Sequence, residues 1–145
     1  MGSRENPIGV FDSGVGGLSV LIELGELMPN ENFVFVADQK YIPYGGKTAK
    51  ELVERTVAIT DYLRKRHGVK VTVIACNTAT CYAIKTVRAI ESFASAQSVI
   101  PFIGTEPAVK SAALEFENIA VMSTPATTAS PALAELIRKY SSGIA

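Results

Sequence analysis

Short apolar runs alternate with longer amphipathic stretches along the chain. The runs are Ile8-Gly-Val-Phe11, Phe33-Val-Phe-Val-Ala37, Val71-Thr-Val-Ile-Ala75, Val99-Ile-Pro-Phe-Ile103 and Ile119-Ala-Val-Met122. Each predicts a strand, and unbroken apolarity in place of strict alternation predicts burial on both faces. Between the second and third runs, Thr48 and Glu51 form a capping box, and Leu52, Ile59 and Leu63 share one helical stripe. Arg64-Lys-Arg-His67 then crowd a last turn whose dipole is negative, and Gly68 stops the helix. Further helices are predicted after Gly17, near Thr78, near Glu106 and at Ser130-Pro131, where serine caps and proline takes the first helical position. Repeated strand–helix units predict an α/β fold with a doubly wound, mostly parallel sheet and flanking helices.

Composition narrows the class. A chain of 145 residues suits one domain or a piece of something larger, and 48% hydrophobic with 19% charged residues can bury a core. Fourteen basic residues balance fourteen acidic ones, without a basic stripe, so nucleic acid is not the expected partner. A small molecule or another protein is. The two cysteines, five positions apart, do not make a disulfide framework, and a reducing cytoplasm is expected. The polar start Met1-Gly-Ser-Arg-Glu-Asn-Pro7 predicts no signal peptide. No apolar stretch approaches the roughly 20 residues of a membrane helix.

The candidate chemistry sits at strand ends. Cys76 closes the third run and opens the polar turn Asn77-Thr-Ala-Thr80, which places its thiol at the carboxyl edge of a sheet and the amino end of a helix. Helix N–H groups there favour thiolate, and open α/β sheets bind ligands along that edge. A small buried apolar cysteine is the other reading. The first turn, Phe11-Asp-Ser-Gly-Val-Gly-Gly-Leu18, partly matches a dinucleotide fingerprint, with Asp38 where a ribose-binding acid would fall. Against it, Ser19 occupies the third glycine position and Asp12 would face a pyrophosphate. Asp12 and Ser13 suit an ammonium-bearing ligand better, with Asp12 as charge partner or base. Alternatively the glycines serve only the turn and Asp12 is a cap.

After the second run, Tyr41-Ile-Pro-Tyr-Gly-Gly-Lys47 lets main-chain N–H groups approach an anion such as a carboxylate, or is an ordinary loop. Thr124-Pro-Ala-Thr-Thr-Ala-Ser130 reads as a loop and N-cap that offers hydroxyls. Cys81 falls about 140° around the helix from Cys76 and is assigned to packing. His67 is far from every candidate turn, so a Cys–His hydrolase is not expected, nor is a zinc site.

These segments in this order resemble the amino-terminal half of bacterial glutamate racemases, in the cofactor-independent aspartate/glutamate racemase superfamily. The matching pieces are Phe11–Leu18, Asp38 with Pro43-Tyr-Gly45, Ala75-Cys-Asn-Thr-Ala79, Glu106-Pro107 and Thr124-Pro125. The resemblance implies interconversion of L- and D-glutamate to supply D-glutamate for peptidoglycan, with neither pyridoxal phosphate nor metal. It implies that Cys76 is one of two catalytic thiols and that Asp12 assists. Ser13, Tyr44, Gly45, Asn77 and Thr78, with Thr124 and Thr127, would bind the amino and carboxylate groups of glutamate. The family has glycine where Ala126 stands, so that loop is expected to sit differently.

The family's second cysteine lies in a Gly-Cys-Thr-His segment, and none occurs here. Residues 1–98 are expected to form a first racemase-type domain lacking its returning segment, and 99–145 the start of a second. The chain is then a fragment, a product that has lost racemisation, or one half of a site that a second chain completes. A homodimer is among the expectations. The alternatives are a racemase for aspartate or a related amino acid and, in a different class, an inactive glutamate-binding or regulatory module.

Overall fold

The structure, a computed structural model, describes residues 4–92 and 99–140. Four parallel strands form one sheet in the order β2-β1-β3-β4, with β1 Ile8–Asp12, β2 Phe33–Ala37, β3 Val71–Ile74 and β4 Phe102–Gly104. The helices are α1 Gly17–Leu27, α2 Ala49–His67, α3 Asn77–Ser92, α4 Val109–Glu115, the single turn α5 Pro125–Thr128, and α6 Pro131–Tyr140.

Strand β1 is central and buried along its whole length, as unbroken apolarity predicts. Alternate side chains feed two cores. Ile8 and Val10 join Val73 against Val20, Leu21 and Leu24 of α1. Phe11 and Ile74 point the other way, into the larger core with Leu52, Ile59 and Leu63 of α2 and Ala79 and Val87 of α3. Helices therefore cover both faces, as a doubly wound sheet requires. Strand β2 departs from the expectation of full burial: it is half-buried throughout, because it pairs with β1 on one side only.

Helix α2 is set by local chemistry. The Thr48 hydroxyl accepts from the Glu51 N–H, and the Glu51 carboxylate accepts from the Thr48 N–H at 2.8 Å. The Thr48 hydroxyl, which also donates to that carboxylate at 2.7 Å, and then the Thr48 N–H hold the Glu51 carboxyl below the usual range. Gly68 ends the helix at φ 60°, a left-handed conformation that favours glycine. Leu63 has no solvent exposure and packs against β1 at Gly9, where an added Cβ would lie 3.1 Å from Leu63 Cδ1.

One expectation meets a different structure. Ile119–Met122 forms no strand; it lines a cavity together with Val109 and Ala112 of α4, and β4 is the edge strand among the described residues. Strand β4 pairs in parallel with β3, Thr72 opposite Phe102 and Ile74 opposite Gly104. The tail that closes the sequence, 141–145, lies outside the described residues.

Leu63→Ala should lower the unfolding free energy by about 2–5 kcal/mol in urea denaturation, the range for emptying a packed core site. A loss under about 1 kcal/mol would contradict this packing.

Candidate functional site

The register of β1 and β3 brings two of the candidate turns together. Phe11 pairs with Ile74, and the Ala75 N–H donates to the Phe11 carbonyl at 2.7 Å, so Asp12 and Cys76 leave the sheet on adjacent strands. Asp12 is buried, and its Oδ2 accepts from the N–H groups of Gly14 at 3.0 Å and Gly17 at 3.1 Å. The carboxylate thus closes the turn that starts α1. Gly17 is required there, because a Cβ would come within 2.6 Å of Asp12 Cβ. Gly16, not Asp12, is the N-cap residue of α1, but Asp12 holds the first helical N–H, at Gly17, from outside the helix, and any ligand role is additional to that bond.

Cys76 is buried between β3 and α3. Its Sγ accepts from the Ala79 N–H at 3.4 Å and lies 3.5 Å from Ser13 Oγ. The sulfur thus occupies an N-cap-like place at α3, with a backbone donor on one side and a hydroxyl on the other. Two residues on, Thr78 Oγ1 lies 3.0 Å from both Thr124 Oγ1 and Thr127 Oγ1. Those two hydroxyls lie 3.1 Å apart, closing a triangle. Thr124 also caps α5 by accepting from the Thr127 N–H, and Ser130 caps α6 in the same way at Leu133.

Gly45 abuts Thr124, whose Cβ would be 2.8 Å from a Cβ on the glycine. The Tyr44–Gly46 turn and the threonine segment are therefore in direct contact. The Tyr44 ring itself points inward: its hydroxyl donates to Asp38 at 2.6 Å, and burial, reinforced by that carboxylate, raises the phenol's pKa well above 10.0. Both oxygens of Asp38 are engaged, by Tyr44 and by the Arg55 fork at 2.8 and 3.0 Å. That engagement removes the ribose-binding role that a dinucleotide site would need. Arg55 had no place in the sequence reading, although its position one turn after Leu52, at the margin of the apolar stripe, was the signal available.

A cavity of about 410 Å³ opens beside this edge. Asn77, Thr78, Thr124 and Thr127 form its polar side, and Val109, Ala112 and Ile119–Met122 its apolar side. Cys76, Asp12 and Ser13 lie outside its lining. Cys81 is half-buried further along α3; burial pushes its thiol up, opposed by a hydrogen bond with Ser130. His67 rests against Tyr62 at the end of α2. Among the described residues, no three His, Cys, Asp or Glu side chains gather to hold a metal ion.

No family model matches the sequence. A curated relative does: the chain is 42% identical to the glutamate racemase of Ectopseudomonas mendocina over 99% of its own length and 53% of that protein's. The chain is homologous to glutamate racemases. It spans about half their length. The fold agrees with solved racemases. Escherichia coli glutamate racemase in complex with L-glutamate and the activator UDP-MurNAc-ala superposes at a TM-score of 0.79 with 32% identity, over 94% of this chain and 50% of that one. The Francisella tularensis enzyme in complex with D-glutamate superposes at 0.73 with 33% identity, over 94% and 49%.

Gly45→Ala should cost about 1–3 kcal/mol in thermal or urea unfolding, because the backbone must part from Thr124; an unchanged midpoint would show that the two segments are not packed. A second expectation concerns alkali. The folded chain holds the Tyr44 proton more tightly than the unfolded chain, so this site's stabilisation is complete below pH 10.0 and is lost as pH rises further. Tyr44→Phe should therefore flatten the alkaline fall in stability, and an identical slope in wild type and variant would count against the buried hydrogen bond.

Proposed function

We propose that this chain carries the half-site of a cofactor-independent glutamate racemase in which Cys76 transfers the Cα proton on one face of the substrate. The observation that carries the reading is the placement of Cys76 Sγ at the start of α3, 3.5 Å from Ser13 Oγ and just past the end of β3, the strand beside β1. The homologues and the two glutamate-bound relatives support glutamate as the substrate.

The Cα proton of an amino acid is very weakly acidic, so its removal needs an oriented base and stabilisation of the charge left behind. Asp12 and Ser13 meet the substrate ammonium. First-turn N–H groups of α3 at Asn77 and Thr78, the Gly45 backbone and the hydroxyls of Thr78, Thr124 and Thr127 meet its carboxylates. A Cys76 thiolate takes the proton and becomes a neutral thiol, while the electron pair of the broken C–H bond spreads onto the adjacent carboxylate. Inversion needs a proton from the opposite face. A second thiol, on a segment outside this chain, supplies it and is left as thiolate. In the cytoplasm of a bacterium the product D-glutamate feeds peptidoglycan synthesis.

Deuterium wash-in at Cα in D2O tests this. Wild-type chain should label one enantiomer of glutamate without inverting it, and Cys76→Ser should lower that rate by about 100-fold or more. Inversion by the chain alone would place both proton-transfer groups within it. If neither enantiomer is labelled, catalysis fails as a reading. If glutamate also leaves the melting temperature unchanged, a glutamate-binding module fails with it.

A further inference from the structure

Arg55 reaches Tyr44 but none of the groups that the proposed half-site sets against the substrate, and it begins a continuous series of contacts that ends at them. Its guanidinium forks onto Asp38 and lies over the Tyr41 ring, with Cζ 3.7 Å from the centroid. Asp38 is anchored to the sheet, its N–H donating to the Asp12 carbonyl at 3.0 Å. From there the series passes through the Tyr44 hydroxyl to Gly45, from Gly45 to Thr124, and from Thr124 Oγ1 to Thr78 and Thr127. A buried carboxylate needs a partner, and a cation that balances its charge and binds both oxygens holds Asp38 in place as the acceptor for Tyr44. Arg55 is that cation. It fixes both oxygens at once, so the plane of the carboxylate, and with it the reach of the Tyr44 hydroxyl, is set.

We propose that Arg55 is a positioning residue for the racemase half-site: its fork on Asp38 sets how the Tyr44–Gly46 turn seats on Thr124, and thereby holds the hydroxyl triangle in register with Cys76. The substrate part of this inference rests on the proposed function; the positioning part does not. A lysine at 55 keeps the charge but offers no planar fork, which makes Arg55→Lys a graded probe and Arg55→Met the full removal.

Two measurements on the intact chain decide it. Amide hydrogen exchange should quicken by about tenfold at Lys47, Thr127 and Thr128 in Arg55→Met, less in Arg55→Lys, with β1 and β3 unchanged. Calorimetric titration with L-glutamate should show dissociation constants raised by about tenfold in Arg55→Met and less in Arg55→Lys, with the Cα exchange rate at saturating glutamate within about twofold of wild type. Wild-type exchange at those three amides in Arg55→Met overturns the proposal. So does loss confined to the saturating rate, or an equal loss of protection across the whole sheet in both variants. If wild type binds no glutamate, the substrate reading fails, and exchange at Lys47, Thr127 and Thr128 still decides the positioning role.

Discussion

The hydrogen bond from the Ala75 N–H to the Phe11 carbonyl extends the β1–β3 pairing one step beyond the last pair of strand residues. The candidate site depends on that step. It carries the two strands together to the point where their chains turn away, Asp12 into the glycine turn and Cys76 into α3. A one-residue slip in a parallel pair would send Phe11 or Ile74 to the opposite face and separate the two turns. Burial of all five β1 residues, with different side chains committed to different cores, makes such a slip costly.

Upon that frame, loops are fixed by polar groups drawn inward. Asp12 closes the first turn with two backbone N–H bonds, and Asp38 anchors the second through Tyr44 and Arg55. Threonine hydroxyls join the third and fourth. The first loop is thus closed by its own buried carboxylate, the second by one shared with α2, and the last two by hydroxyls shared between them, which is how a site made of loops acquires a fixed shape.

Much of this was legible in the residues. Hydrophobic patterning located β1 to β4, and the Thr48/Glu51 box and Gly68 located α2 nearly to the residue, because both signals are local. Cys76 at a strand-to-helix junction was legible for the same reason. The inward turn of the Tyr44 hydroxyl was not, since it depends on Arg55, eleven residues away and on a helix face decided by packing. Ile119–Met122 misled for a related reason: apolar composition signals burial against something, and only tertiary structure says whether that is a strand partner or a cavity wall. The short interval between Cys76 Sγ and Ser13 Oγ likewise joins positions far apart in the chain, which periodicity does not report.

The apolar side chains exposed at the end of α4 and in the cavity wall have a colloidal consequence. Leu114, Phe116 and Met122 are exposed by 82%, 63% and 100%, on a chain of zero formal net charge and a pI near 6.6. Near neutral pH such molecules have little long-range repulsion to keep them apart, while their sticky faces are open to water. Solubility of the isolated chain is therefore governed by pH and by concentration, independently of how well each copy is folded.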